Sequence, residues 1–278
     1  MAWLDIRVTS WSQFTSACTT FPKITSALST SLLFRGHADA SWKLEPTLLR
    51  ALKGVSAEDA LRVEDKAFNH FRRHAPFRSA MELGTILPGT ERPALEWWAP
   101  MQHHGAPTRL LDWTSNPYVA AYFAVQAEPD KNAAIYYFDA GQLLEFNRIK
   151  YPDMVSAGGL AEMDQMNKPD SPHMLMPYDG FFISSGRMLG QQGHFTFSTN
   201  ILGDHAALIE ESHAARADGS RPNFGRLIIP KEKKRLFLQT LIAMNINAAT
   251  MFPDLSGLGK NIAEMIEFRN PTGLASSI

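Results

Sequence analysis

Residues 98–124, WAPMQHHGAPTRLLDWTSNPYVAAYFA, lead from a turn into a strongly apolar helix and carry an unusual density of polar side chains. Ser115 or Asn116 can cap the helix, and Pro117 suits its first turn, where a missing amide hydrogen costs no bond. Folding alone rarely requires so many polar groups beside a buried helix, so the stretch is a candidate site. Its polar members are Gln102, His103, His104, Thr108, Arg109, Asp112, Thr114, Ser115 and Asn116.

The composition of the 278 residues is typical of a globular protein, with 45% hydrophobic and 20% charged residues. The 27 basic residues balance 28 acidic ones, so overall charge identifies no nucleic-acid or membrane partner. Cys18 is the single cysteine, which excludes an internal disulfide and suits a reducing compartment. Neither a secretion signal nor a membrane-spanning run is recognisable, and we therefore expect a cytoplasmic location.

Strands and helices alternate along the chain without the regular rhythm of a βαβ protein. SLLFRG at 31–36 is typical of a buried strand that delivers Arg35 at its edge, and 57–74 is typical of a helix with Glu64 in its apolar stripe. The region 150–190 reads as a long irregular excursion. We predict an α+β domain, a mixed sheet core with flanking helices. The other expected elements are a short helix in LEWWAPMQHHG, the loop PGTERP at 88–93, strands at 133–138, 194–199 and 225–230, and helices at 231–244 and 258–268.

Several common catalytic motifs are missing from the sequence. It has no GxGxxG in a strand-to-helix turn, no GxxxxGK[ST], no HExxH and no GxSxG. His70 and His74 lie one helical turn apart but lack a recognisable third ligand, so we expect no metal site. The basic run from Lys231 to Arg235 could contact phosphate, although a solvated helix face is the favoured interpretation.

Asp112 has two interpretations, as a general base or as a buried hydrogen-bond acceptor. In a purely structural account, Arg35, Asp112 and Arg109 would form a buried ion-pair network. Trp97, Trp98 and Trp113 would then fill the volume around it. We favour a site, because the high cost of buried charge is usually tolerated where function requires it.

The chain resembles the FRG-domain family over roughly residues 30–200. The tripeptide FRG itself stands at 34–36, and the block QHHGAPTRLLDWTSNP at 102–117 is too long to arise easily by chance. This resemblance implies one FRG-type domain over 1–278, with a strand and helix extension at 201–278. The remaining matching residues are Trp42, Leu44, Pro46, Arg50, Glu64, Phe68, Gln191, Gly193 and Phe195.

A weaker resemblance links the chain to ADP-ribosyltransferases, whose first motif is a strand ending in Arg or His before a small residue. LLFRG is similar to that motif, which implies that Arg35 and Gly36 contact NAD. LLDWTSNPYVAAYFA is similar to the second motif, a strand with Ser or Thr followed by a helix with small and aromatic residues. That likeness implies a split sheet, with Thr114 and Ser115 positioning the ribose and Tyr118 or Tyr122 stacking on nicotinamide.

The third motif of those enzymes normally supplies a glutamate, whereas this chain offers Gln191 and Gln192. A neutral amide can hold a ribose hydroxyl but cannot neutralise developing positive charge. The resemblance therefore implies that another acid such as Asp112 or Glu64 substitutes, or that the domain binds without transferring.

The resemblance implies an ADP-ribosyltransferase-like enzyme that uses NAD as its substrate, in the role of a toxin or phage-defence effector. Its acceptor would be a macromolecule, and the sequence leaves open whether this is protein or nucleic acid. The alternative is a non-catalytic module that recognises a nucleotide or nucleic acid. In that module His104, Arg109 and the pair Trp97 and Trp98 would make the contacts.

Overall fold

A computed structural model of the chain describes residues 3–20, 32–79, 94–156, 167–178, 186–214 and 223–269. The strands in these ranges form one mixed sheet. They are β1 Asp5–Arg7, β2 Leu32–His37, β3 Leu111–Thr114, β4 Ala133–Asp139, β5 Leu175–Tyr178, β6 Gly193–Ser198 and β7 Phe224–Ile229. Their order across the sheet is β1-β7-β4-β2-β3-β6-β5, in which β1 and β7 are parallel and the other neighbours antiparallel. The predicted α+β fold with a mixed sheet is confirmed.

Helices flank the sheet and connect its strands. The first six are α1 Trp11–Thr20, α2 Thr47–Ala51, α3 Ala57–Ser79, α4 Ala94–His103, α5 Pro117–Val125 and α6 Ala140–Lys150. The others are α7 Pro152–Ser156, α8 Gly186–Gln191, α9 His205–Ala214, α10 Lys231–Ala243, α11 Ala248–Met251 and α12 Leu255–Arg269. Within the described ranges, no helix has the length and apolar character needed to cross a lipid bilayer.

Helix α5 packs against one face of the central strands. The side chain of Asn116 caps it by accepting bonds from the amides of the first turn, as the SNP sequence predicts. Gly36 lets β2 approach α5 closely, since a Cβ there would lie 2.0 Å from the carbonyl oxygen of Ala120. Phe34 and Ile135 lie in the buried cluster on this face. The apolar helix is therefore part of the main core.

The opposite face of the sheet is covered by a second apolar cluster, which contains Leu33, Trp113 and Phe138. Because side chains alternate along a strand, Arg35 lies on the same face of β2 as Leu33. A third cluster joins α4 to the outer strands through Trp98 and Phe197. Strand β2 thus contributes Phe34 to the apolar cluster on one face of the sheet and Leu33 to the cluster on the other.

The predicted elements differ from the observed ones mainly in their number and limits. The helix expected at 57–74 continues to Ser79, and the expected irregular region 150–190 contains α7, β5 and α8. Strand β7, from the 201–278 extension, pairs with β4 and therefore belongs to the same sheet as the FRG tripeptide. The loop expected at 88–93 lies outside the described residues.

Candidate functional site

The sheet is nearly divided between β2 and β3. These strands share one register pair, Phe34 with Thr114, whereas β2 pairs with β4 at six positions and β3 with β6 at four. Arg35 lies just beyond the single pair and connects the two strands. Its Nη1 donates to the backbone oxygen of Asp112 at 2.7 Å and lies 3.5 Å from the carboxylate Oδ2. Beyond the single pair, the Arg35 side chain thus connects β2 to β3 in place of backbone hydrogen bonds.

His37 fixes the orientation of Arg35 from the side of β2. Arg35 Nε donates to His37 Nε2 at 3.0 Å, and the other ring nitrogen lies 3.3 Å from the carbonyl oxygen of Trp42. Burial, assisted by the charge of Arg35, lowers the pKa of His37 to about 3. The imidazole is therefore neutral at physiological pH and acts as an acceptor for Arg35.

A chain of hydrogen bonds positions the Asp112 carboxylate. Gln102 Nε2 donates to Asp112 Oδ1 at 2.6 Å, and the hydroxyl of Thr108 donates to Gln102 Oε1. The amide of Thr108 in turn donates to the hydroxyl of Thr47 at 3.1 Å, which ties this loop to α2. The Asp112 side chain is still 58% exposed. It is therefore an oriented carboxylate that a ligand can reach.

Arg35 and Asp112 face a cavity of about 140 Å³. Ligand pockets typically measure roughly 300 to 1,000 Å³, so this cavity can enclose one part of a dinucleotide but not the whole molecule. Glu45 lies 3.9 Å from Lys53, so its charge already has a partner. The polar side chains of the wall are Arg35, Glu45, Thr47, Arg50, Gln102 and Asp112.

Three of these wall residues, Glu45, Thr47 and Arg50, were not among the predicted site residues. They all lie in SWKLEPTLLR, the segment whose resemblance to the FRG family was noted without a role being assigned. The signal was therefore present in the sequence. The sequence alone could not predict the tertiary contact that brings α2 beside Gln102.

The predicted residues Thr114, Ser115, Gln191 and Gln192 meet at the other end of β3. The hydroxyl of Thr114 donates to the backbone oxygen of Gln191 at 2.7 Å. The backbone amide of Ser115 donates to the backbone oxygen of Gln192 at 3.2 Å. Since β2, β3 and β6 are neighbours, about 10 Å separates the backbone of β2 from that of β6. The strands carrying the three expected motifs are thus adjacent.

The two glutamines differ in what their side chains can do. Gln191 Nε2 donates to the backbone oxygen of Met251 at 2.9 Å, so its amide is engaged with α11. Gln192 has a positive φ of 46° and an exposed side chain. Of the pair, Gln192 alone presents an exposed amide at this end of the strands.

Both candidate stacking tyrosines lie within packed surroundings. The ring of Tyr118 is half-buried and lies 5.6 Å from Phe14. Tyr122 is fully buried, and its hydroxyl donates to Glu264 Oε1 of α12 at 2.7 Å. Burial, together with this bond, raises the pKa of Tyr122. Tyr122 therefore joins α5 to the last described helix.

Arg109 lies in a separate buried ion pair. Its Nε donates to Glu64 Oε1 at 2.7 Å, its Nη2 contacts Oε2, and the two side chains are only 4% and 7% exposed. A further bond reaches the backbone oxygen of Ser198 at 3.3 Å, and the guanidinium lies 4.9 Å from the ring centre of Trp98. The pair joins α3 to the end of β6 and does not line the cavity.

The buried network expected in the structural account divides into two unrelated pairs. Arg109 is bonded to Glu64, whereas Arg35 contacts an exposed Asp112. Trp113 fills volume as expected, and its indole nitrogen donates to the hydroxyl of Thr196 at 2.9 Å. That hydroxyl lies 3.0 Å from Nδ1 of His205, a neighbour not noted in the sequence.

The histidines of the sequence do not assemble a metal site in the described part of the chain. The rings of His70 and His74 lie 4.5 Å apart, yet no group of three metal-binding side chains occurs among the described residues. His104 is exposed and directly precedes Gly105, which lines the cavity. The ring of His104 lies 6.5 Å from that of Phe71, and His104 is not among the residues that line the cavity.

Comparison with known families agrees with the sequence motifs. Residues 30–133 match the family model of the FRG domain, and this range contains β2, α2, α3, α4, β3 and α5. The chain therefore contains an FRG domain within this range. All polar side chains of the cavity wall lie within the match, whereas Gln191 and Gln192 lie beyond it. No curated protein and no solved structure matches the chain.

Proposed function

We propose that this FRG domain binds NAD at the gap between β2 and β3 and cleaves the nicotinamide glycosidic bond, as an ADP-ribosyltransferase-like enzyme. The observation that carries the proposal is the Arg35 bridge to an exposed, oriented Asp112 carboxylate at a polar cavity. It is supported by the near-division of the sheet at the strand that carries the FRG tripeptide.

Asp112 is the acid that compensates for the glutamines at the start of β6. Cleavage of the bond develops positive charge on the ribose carbon, and a nearby carboxylate stabilises that charge. Gln102 holds one carboxylate oxygen, and Arg35 approaches the other. Because Glu64 is engaged with buried Arg109, it does not serve this role in our proposal.

The proposed reaction conserves charge and atoms without another cofactor. The bond between ribose C1′ and the nicotinamide nitrogen breaks, and its electron pair moves to the ring and neutralises the pyridinium. A nucleophile, either water or an acceptor group, supplies the new pair to C1′ and loses its proton to solvent. The cavity takes the ribose end of NAD, since its volume of about 140 Å³ cannot enclose the full molecule.

The test is release of nicotinamide from NAD, measured by chromatography with candidate protein and nucleic-acid acceptors present. We expect wild type to release nicotinamide and Arg35→Ala to lose at least about 100-fold of that rate, since electrostatic groups at a reacting centre contribute on this scale. The control is Arg62→Ala, an exposed arginine of α3 paired with Glu58. Undiminished release by Arg35→Ala would refute the site.

The second candidate is a module that binds a nucleotide or nucleic acid without chemistry. It is favoured by one observation, the bonding of the Thr114 hydroxyl and the Gln191 amide to backbone atoms within the protein. Binding of NAD or an oligonucleotide with no nicotinamide release would support this alternative. For the enzyme we propose the role of a toxin or phage-defence effector that modifies a macromolecule.

A further inference from the structure

The cations of the cavity wall differ in how far their charge is already engaged. Arg35 directs Nε to His37 and Nη1 to Asp112, and its side chain is only 21% exposed. Much of its hydrogen-bonding capacity therefore holds β2 and β3 together. A ligand anion approaching Arg35 also meets the negative charge of Asp112 on the same wall.

Arg50 has no such partner in the described part of the chain. It lies in the last turn of α2, is exposed, and lines the cavity. No carboxylate of a described residue lies within 4.0 Å of its guanidinium, whereas Arg35 has Asp112 and Lys53 has Glu45. Among the described residues, Arg50 is thus the wall cation whose positive charge has no counter-charge within this distance.

Helix α2 holds Arg50 in a fixed relation to the rest of the wall. The amide of Leu48 donates to the backbone oxygen of Thr108 at 3.1 Å, and Thr47 accepts the bond from the amide of Thr108. Thr108 in turn holds Gln102, which holds Asp112. One connected set of bonds therefore links α2, the helix that carries Arg50, to the exposed carboxylate of Asp112.

We propose that Arg50 binds a phosphate of the ligand, so that the cavity selects a phosphate ester or pyrophosphate over the corresponding nucleoside. This rests on the proposed function in identifying the ligand as NAD. The guanidinium presents paired donors that match phosphate oxygens, and such charge-assisted bonds are among the stronger ones in proteins. Asp112 and Arg50 then contact different parts of one ligand, the ribose and the pyrophosphate.

A basic residue at a helix C-terminus can also be a solvated charge favoured by the helix dipole. The two interpretations differ in their effect on binding. A solvated Arg50 predicts no change in ligand affinity on substitution, whereas a phosphate-binding Arg50 predicts a loss confined to phosphorylated ligands. Arg50 is exposed, so its substitution should leave the fold intact.

The experiment measures dissociation constants by calorimetry for NAD, nicotinamide riboside and inorganic pyrophosphate. The variants are Arg50→Gln and Arg50→Lys, with Arg62→Gln as an exposed arginine control away from the cavity. We expect Arg50→Gln to weaken binding of NAD and pyrophosphate by about 10-fold to 100-fold, the scale of a lost hydrogen bond to a charged group. Nicotinamide riboside should be unaffected, and Arg50→Lys should recover part of the loss.

Each result decides a separate question. If NAD binds equally well to wild type and Arg50→Gln, or if Arg50→Gln weakens nicotinamide riboside as much as NAD, the role of Arg50 is overturned and NAD binding stands. If wild type binds pyrophosphate through Arg50 but not NAD, the phosphate site stands and the proposed function fails. If wild type binds neither NAD nor pyrophosphate, both the phosphate site and the proposed function are overturned.

Discussion

The ion pair between Arg109 and Glu64 gives the sharpest prediction about stability. Replacing Glu64 with Leu leaves the Arg109 guanidinium buried, with its side chain only 4% exposed and without its carboxylate. Removing one partner of a buried pair typically costs about 3 to 5 kcal/mol, because the remaining charge is desolvated and uncompensated. We expect Glu64→Leu and Arg109→Met each to lower the free energy of unfolding by this amount.

The double variant Glu64→Leu/Arg109→Met distinguishes a paired charge from lost packing. Because it leaves no buried charge, we expect it to be more stable than either single variant, by about 2 kcal/mol or more. The matched control is Glu58→Leu in the same helix, since Glu58 forms an exposed pair with Arg62. Exposed pairs contribute about 0 to 1 kcal/mol, so this control should change little.

The assay is urea denaturation followed by circular dichroism at pH 7, with the m-value compared between variants. A cost below about 1 kcal/mol for Glu64→Leu would refute the assignment of a buried pair. A double variant whose loss equals the sum of the two single losses would also refute it, since the two sites would then be independent.

Three further predictions concern the core. His37 and His205 both have a pKa that burial lowers to about 3. Because the unfolded chain binds these protons more readily, stability is lost as pH falls from about 6.5 towards 3. At pH 5 the loss is about 2 kcal/mol for each histidine, and urea midpoints that stay constant between pH 6.5 and 4.5 would contradict it. Gly36→Ala should cost about 1 to 3 kcal/mol because its Cβ would meet the backbone of α5, and an unchanged melting temperature would argue against that close approach. Tyr122→Phe removes the hydrogen bond to Glu264 and should lower the free energy of unfolding by about 1 to 3 kcal/mol. We expect faster proteolytic cleavage near α12 than in wild type. Equal cleavage rates would show that this bond does not hold the helix.

Local sequence signals predicted the elements around the site well. Asn116 and Pro117 marked the start of α5 because capping depends on adjacent residues, and the capping bonds are observed. The apolar run ending in FRG likewise predicted β2. The split sheet implied by the second resemblance is not observed as a separation, since the seven strands form one sheet in which β2 and β3 share the single register pair of Phe34 with Thr114.

Features that depend on distant residues could not be predicted in the same way. Arg109 was predicted as a ligand-binding residue, whereas its side chain is paired with Glu64. Glu64 stands 45 residues earlier in the chain, and no local sequence pattern predicts that pairing. Tyr122 has its partner Glu264 142 residues later. Strand β5 was missed because it is short and contains Pro177, which is rare within strands.

The central claim is that Asp112 supplies the negative charge that Gln191 and Gln192 cannot. The direct measurement is the rate of nicotinamide release from NAD by Asp112→Asn and by Gln192→Ala, each compared with wild type. We predict a loss of at least about 100-fold for Asp112→Asn and a rate close to wild type for Gln192→Ala. Wild-type turnover by Asp112→Asn, with the loss found instead in Gln192→Ala, would contradict the account.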